Sequence, residues 1–164
     1  MEAIVMPMTW DDWPEIARNI FQLMRSNEAG EEIVLEKNIF VERILFNDSE
    51  KGLSDEAKKE YIRPFKNAGE DRRPTLTWPR QIPIDGSPEA VIDEVTKNGE
   101  FHKNSDIPKL FINADPGTIL IGKQREFVRS WTNLKEVTVK GNHFVQEDSP
   151  HEIGEALKVF IETI

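Results

Sequence analysis

The stretch EVTVKGNHFVQED, residues 136–148, holds a histidine where it can do chemistry. The β-branched run Val137, Thr138 and Val139 predicts a strand that stops at Gly141. His143 follows on a loop past the carboxyl end of that strand, the sheet edge at which α/β proteins place ligands. An imidazole there can act as a general base near neutral pH. The same spacing also describes an ordinary surface-loop histidine. His102 and His151, the other two histidines, show no zincin spacing with it, so no metal site is expected. No Gly-x-Asp/Ser-x-Gly turn, the usual seat of a nucleophile in α/β hydrolases, occurs in the chain.

The elements around this loop read as α/β. Residues 2–6 predict a short strand stopped by Pro7. Thr9 or Asp11 would cap a helix running to about Arg25, with Trp13, Ile16, Ala17, Ile20, Phe21 and Met24 as its apolar stripe. Residues 31–45 predict two short helices broken at Lys37 and Asn38. Residues 46–52 read as a polar loop, and Ser54 starts a helix that ends before Pro64. A charged loop spans 68–73, and a short helix lies around 75–81. Ser87 and Pro88 open a helix to about Lys103 as its N-cap and first residue.

The run Leu110, Phe111 and Ile112 fits a buried parallel strand before a turn at 115–117. A helix over about 120–131 leads to the strand at 136–139, a right-handed crossover if the strands are parallel. The last helix begins near Ser149 and Pro150 and turns Ile153, Ala156, Leu157 and Phe160 inward. The pattern gives about three strands and about seven or eight helical pieces. Three parallel strands make a poor sheet alone, since such sheets need both faces and both edges covered. The chain therefore reads as the C-terminal part of a larger domain, with poor solubility or self-association expected of it in isolation.

Composition narrows the partners. The 164 residues suffice for a real core, and a net charge of −9 argues against nucleic acid or anionic membranes. There are no cysteines, hence no disulfide frame and no thiolate metal site. No apolar run approaches the roughly 18 residues of a membrane span. Residues 1–3 lack a signal-peptide start, which makes the cytosol the default compartment if this is the natural N-terminus.

Four ordered blocks carry a family resemblance: MEAIVMP (1–7), RRPTLTWPRQIP (72–83), PKLFINADPG (108–117) and KGNHFVQEDSPHEIG (140–154). They resemble the haloalkane dehalogenases of the α/β-hydrolase superfamily, and also the coelenterazine luciferases of sea pansies. The resemblance covers almost the whole chain and implies the C-terminal portion of an α/β-hydrolase fold, parallel strands with flanking helices, plus a helical cap. It divides the chain into a core strand and entry to the cap (1–10), a helical cap region (11–103) and the C-terminal part of the core (104–164).

In that family an aspartate displaces halide to form an alkyl-enzyme ester, and a histidine oriented by a carboxylate activates the water that hydrolyses it. His143 matches the base and Glu2 the orienting acid; Asp115, after the next-to-last strand, is the alternative acid, or a plain turn residue before Pro116. The nucleophile, the His-Gly-Asn-x loop and the halide-binding tryptophan that follows the nucleophile are not in the chain, and Met1 matches an internal methionine. The resemblance thus implies a fragment, inactive alone, that needs the N-terminal half of the same fold. The substrate would be a small apolar halogenated compound, yielding halide and alcohol without a cofactor.

Ile4, Trp13, Phe21, Phe40, Ile44, Trp78, Pro79, Ile82, Ile119 and Phe144 would line the pocket, and ordinary core packing explains each equally well. Residues 46–52 depart from the family's usual Leu-Pro and arginine. Two other functions stay open: a coelenterazine-oxidising luciferase on the same scaffold, and a non-catalytic interaction protein.

Overall fold

The computed structural model describes residues 1–164. The chain divides into two compact units. One, the sheet unit, comprises Met1–Pro7, Ser49–Lys51 and Ile92–Ile164; the other, the helical unit, comprises Met8–Asp48 and Gly52–Val91. No helix is long and apolar enough to cross a membrane.

The sheet unit is built on two parallel strands, β1 (Lys109–Pro116) and β2 (Leu134–Gly141), in register from Lys109 opposite Leu134 to Pro116 opposite Gly141. The helix between them, here called α6 (Gly122–Arg129), supplies the crossover that parallel strands require. Two apolar clusters flank the sheet. Phe111, Leu120 and Val128 pack with Val5, Trp131 and Leu134. Ala114, Val139 and Val145 pack with Ile112, Val137 and Ile153. Each strand thus sends residues to both clusters, the pattern of a strand covered on two faces. β1 runs on through Asp115 and Pro116, past the turn expected there.

Residues 2–6 are not a strand. They pair with no strand; instead the buried Gln124 side chain of α6 accepts from the Val5 and Met6 N–H groups and donates to the Met6 carbonyl. A side-chain amide offers one acceptor and two donors, so it can stand in for a neighbouring backbone. The expected three strands are therefore two.

After β2 a short helix that the sequence did not signal, α7 (Val145–Asp148), precedes α8 (Pro150–Ile161). Ile153 of α8 packs inward, whereas Leu157 is 45% exposed, against expectation.

The helical unit starts with α1 (Glu15–Arg25). It begins later than Thr9 or Asp11 because Pro14 excludes the helical conformation from the residue before it. Asp12 accepts from the N–H and hydroxyl of Thr9, closing a turn in place of a first helical turn. Phe21 and Met24 are buried as the spacing requires, but Ile16 is 97% exposed.

The 31–45 stretch breaks at Lys37 and Asn38 as expected, with Asn38 at φ 53°; it winds as α2 (Glu28–Glu31) and the π-helical turns Glu32–Glu36 and Phe40–Leu45. α3 (Asp55–Ile62) begins where Ser54 Oγ accepts from the Ala57 N–H, a side-chain N-cap. α4 (Arg73–Arg80) completes the unit's core, in which Met24, Ile33, Val34, Leu35 and Leu76 are packed by Ile20, Ile39, Phe40 and Ile44. α5 (Glu89–Asn104) starts one residue after Pro88 and from Ile92 belongs to the sheet unit.

Candidate active site

His143 and Glu2 meet in the sheet unit, 141 positions apart in sequence, and both are buried. Residues 141–144 leave the end of β2 and present the imidazole; Nδ1 lies 3.5 Å from Glu2 Oε2. That distance is within ion-pair range but at the outer limit of a hydrogen bond, and Nδ1 has no aligned hydrogen-bond acceptor. The ring also stands edge-on to Phe144, centroids 4.8 Å apart.

Glu2 is held far more firmly than His143. Its carboxylate accepts from three successive backbone N–H groups: Thr118 at 3.0 Å, Ile119 at 2.8 Å and Leu120 at 3.2 Å. Its own N–H donates to the His143 carbonyl at 3.0 Å, tying the two segments at the backbone. Burial pushes the Glu2 carboxyl up, but His143 and the N–H groups of Ile119 and Thr118 outweigh it, leaving its pKa below the ordinary value. A fixed, ionised carboxylate facing one nitrogen of an imidazole favours the proton on that nitrogen and leaves the other free to accept one. The pair can therefore act as an oriented general base.

Asp115, the alternative acid, is exposed at the end of β1, opposite Lys140 of β2. Lys140 feels its charge.

The apolar candidates fall in both units. Ile119 and Phe144 are buried in the sheet unit. Ile4 lines a shallow groove of about 280 Å³ there, with Ala3, Val5, Gly99, His102 and Trp131. In the helical unit Trp13, Phe21, Pro79 and Ile82 are buried, Phe40 and Ile44 half-buried, and Trp78 is 39% exposed. Trp13 packs on Phe21 and Phe40 edge-on to Trp78. No group of three or more His, Cys, Asp or Glu side chains gathers to hold a metal ion.

Sequence reasoning missed the groups that hold the pair. The N–H groups of residues 118–120 have no sequence signature, because every non-proline residue has one. Gln124 left a trace, a polar side chain on the buried face of a helix. Asp148 appears in the sequence only as a helix-start acid, yet it is buried beside the histidine loop.

A parallel strand–helix–strand unit with a histidine just past the second strand, facing a buried carboxylate, fits the α/β-hydrolase class of fold. Comparison with known proteins narrows it. The chain is 51% identical over 161 residues to a haloalkane dehalogenase of Sphingobium indicum, covering 98% of this chain and 54% of that protein. It is 42% identical over 158 residues to the coelenterazine h 2-monooxygenase of Renilla reniformis, covering 95% of this chain and 50% of that one. A solved haloalkane dehalogenase from Bradyrhizobium elkani superposes with a TM-score of 0.91 at 32% identity, covering 97% of this chain and 56% of that one. No family model matches. By sequence and fold the chain corresponds to the C-terminal part of the haloalkane dehalogenases, and it spans about half the length of the curated relatives it matches.

Proposed function

We propose that the chain is the base-and-acid portion of a haloalkane dehalogenase, a hydrolase that cleaves carbon–halogen bonds through an alkyl-enzyme ester. In the complete enzyme an aspartate outside this chain attacks the carbon, and halide leaves with the bonding electron pair. His143 then takes a proton from water as the hydroxide attacks the ester carbonyl; the tetrahedral adduct expels the alkoxide, which takes the proton back from the imidazolium and leaves as the alcohol, restoring the aspartate carboxyl group. Glu2 holds the Nδ1 proton and stabilises the imidazolium that forms; Asp115 plays no part. The helical unit corresponds to the family's cap; in the sheet unit Ile119, whose N–H donates to Glu2, and Phe144, edge-on to His143, stand beside the base and acid as substrate-facing residues. The reading rests on one observation above the others, the buried His143–Glu2 pair whose carboxylate is fixed by three backbone donors.

The test is halide release from 1-bromobutane. The chain alone should release none. Preceded by the unmatched N-terminal part of the Sphingobium indicum relative, it should turn over. In that longer protein, His143→Phe should release about one halide per molecule and stop with the ester intact. Continued turnover by this variant would remove His143 from the base's role. Light from coelenterazine without halide release would favour the luciferase reading, for which the Renilla match is the support.

A further inference from the structure

His143 has a weakness as a base: no aligned acceptor holds its ring. Its aim at Glu2 must come from the backbone that carries it. On one side that backbone is fixed by the Glu2 N–H, which donates to the His143 carbonyl. On the other side the preceding N–H, that of Asn142, donates to Asp148 Oδ2 at 3.1 Å.

Asp148 is 1% exposed, and the Asn142 contact is one of three of its kind. Its Oδ2 also accepts from the Glu50 N–H at 3.0 Å, and Oδ1 from the Lys51 N–H at 3.1 Å. The Lys51 ammonium donates to the main-chain carbonyl of Asp148 rather than to its carboxylate. Around this clamp, Ser149 Oγ donates to the Lys140 carbonyl at 2.6 Å, and Lys140 pairs with Glu50 at 3.0 Å. Gly141 makes the closure possible. A Cβ there would sit 2.9 Å from both Cβ and Oδ2 of Asp148, and its φ of 149° suits glycine.

We propose that Asp148 is a positioning residue for the base: its carboxylate fixes the Asn142 peptide, and through it the angle at which His143 faces Glu2, while binding residues 49–51 to the same loop. The proposal rests on the reading of His143 and Glu2 as base and acid, and concerns how that pair is kept in line. Asparagine has the shape of aspartate but one acceptor oxygen, so Asp148→Asn turns an NH₂ toward a backbone N–H and releases part of the clamp.

The test is the ring-nitrogen NMR spectrum of His143 in the whole chain, labelled at its histidines. In the wild type the proton should prefer Nδ1, the nitrogen that faces the Glu2 carboxylate at 3.5 Å, by about fivefold through charge attraction. In Asp148→Asn the preference should fall toward even, with the indole signal of Trp131, packed on the core of the same unit, unmoved as a check that the unit is folded. Gly141→Ala presses on Asp148 without removing its charge and should lower the preference too; it decides the matter if Asp148→Asn does not fold. A folded variant that keeps the full wild-type preference would overturn the positioning role alone. A wild type without any preference would sink the base–acid reading itself, and this proposal with it.

Discussion

Each unit buries a charged side chain among backbone groups, and the two are satisfied in different ways. In the helical unit Arg72 donates Nε to the Phe65 carbonyl, Nη1 to those of Leu35 and Glu36, and Nη2 to that of Lys66. It faces no carboxylate within hydrogen-bond reach, and four of its five N–H groups are taken up by the chain it staples together. In the sheet unit Glu2 is likewise held by backbone donors, but it also faces a buried imidazole whose Nδ1 has no aligned acceptor. A buried ion held only by backbone groups is a structural tie. A buried group left short of a partner carries a cost of about 1–3 kcal/mol that packing alone does not explain, and such groups gather at functional sites. What sets the two apart, although both are equally buried, is that Arg72 meets only backbone carbonyls whereas Glu2 also faces a titratable ring.

The strongest way to break the comparison is Arg72→Met. It takes the side-chain donor from four carbonyls, of which that of Leu35 keeps the Gly69 N–H, and should cost roughly 3 kcal/mol of stability in urea unfolding. A loss under about 1 kcal/mol would show that water satisfies those carbonyls and that the staple is not structural.

Next comes Gln124→Leu, which removes the stand-in for a neighbouring strand. Stability should fall by about 1–2 kcal/mol, and the amides of Val5 and Met6 should exchange much faster with solvent. Unchanged exchange would mean that the Glu2 carboxylate alone anchors the segment.

The acid limb sharpens the contrast in a smaller way. Glu2 and Asp148 both have folded pKa values below their unfolded ones, because burial, which raises them, is outweighed by their hydrogen bonds. Their contribution to stability is present above the ordinary carboxylate range and is lost as pH falls through the lowered folded values. Glu2→Gln should therefore lower stability at neutral pH and flatten its decline below about pH 4. An acid limb of unchanged steepness would show that Glu2 is not a source of it. The smallest effect is expected at Ile16, which lies on the apolar stripe of α1 by sequence yet is 97% exposed. Ile16→Glu should change stability by no more than about 0.5 kcal/mol.

Features set by neighbours in the chain were legible beforehand. Ser54 caps α3, the 31–45 stretch breaks at Asn38, and the apolar runs around Phe111 and Val137 become β1 and β2. The boundaries that failed did so for equally specific reasons. Pro14 delays α1, and residues 2–6 fail as a strand because a ladder needs a partner that a local pattern does not reveal. Of the candidate site, position after a strand end singled out His143, the family resemblance alone pointed to Glu2, and Asp115 stayed open beside it. Nothing local told that Glu2 would turn to three N–H groups 116–118 positions away.

By itself, then, the sequence determined what short range controls: where helices cap and break, which runs are apolar enough to be buried strands, and that an imidazole follows a strand end. Backbone sterics and side-chain periodicity act over a few residues and can be read directly. Tertiary structure alone decided the partners. It put Glu2 opposite His143, Gln124 in the place of a strand, Asp148 under the histidine loop and Arg72 across four carbonyls, and it left Ile16 and Leu157 in water. Hydrogen bonds and burial depend on which segments the fold brings within about 3 Å, and a one-dimensional pattern carries no record of that distance.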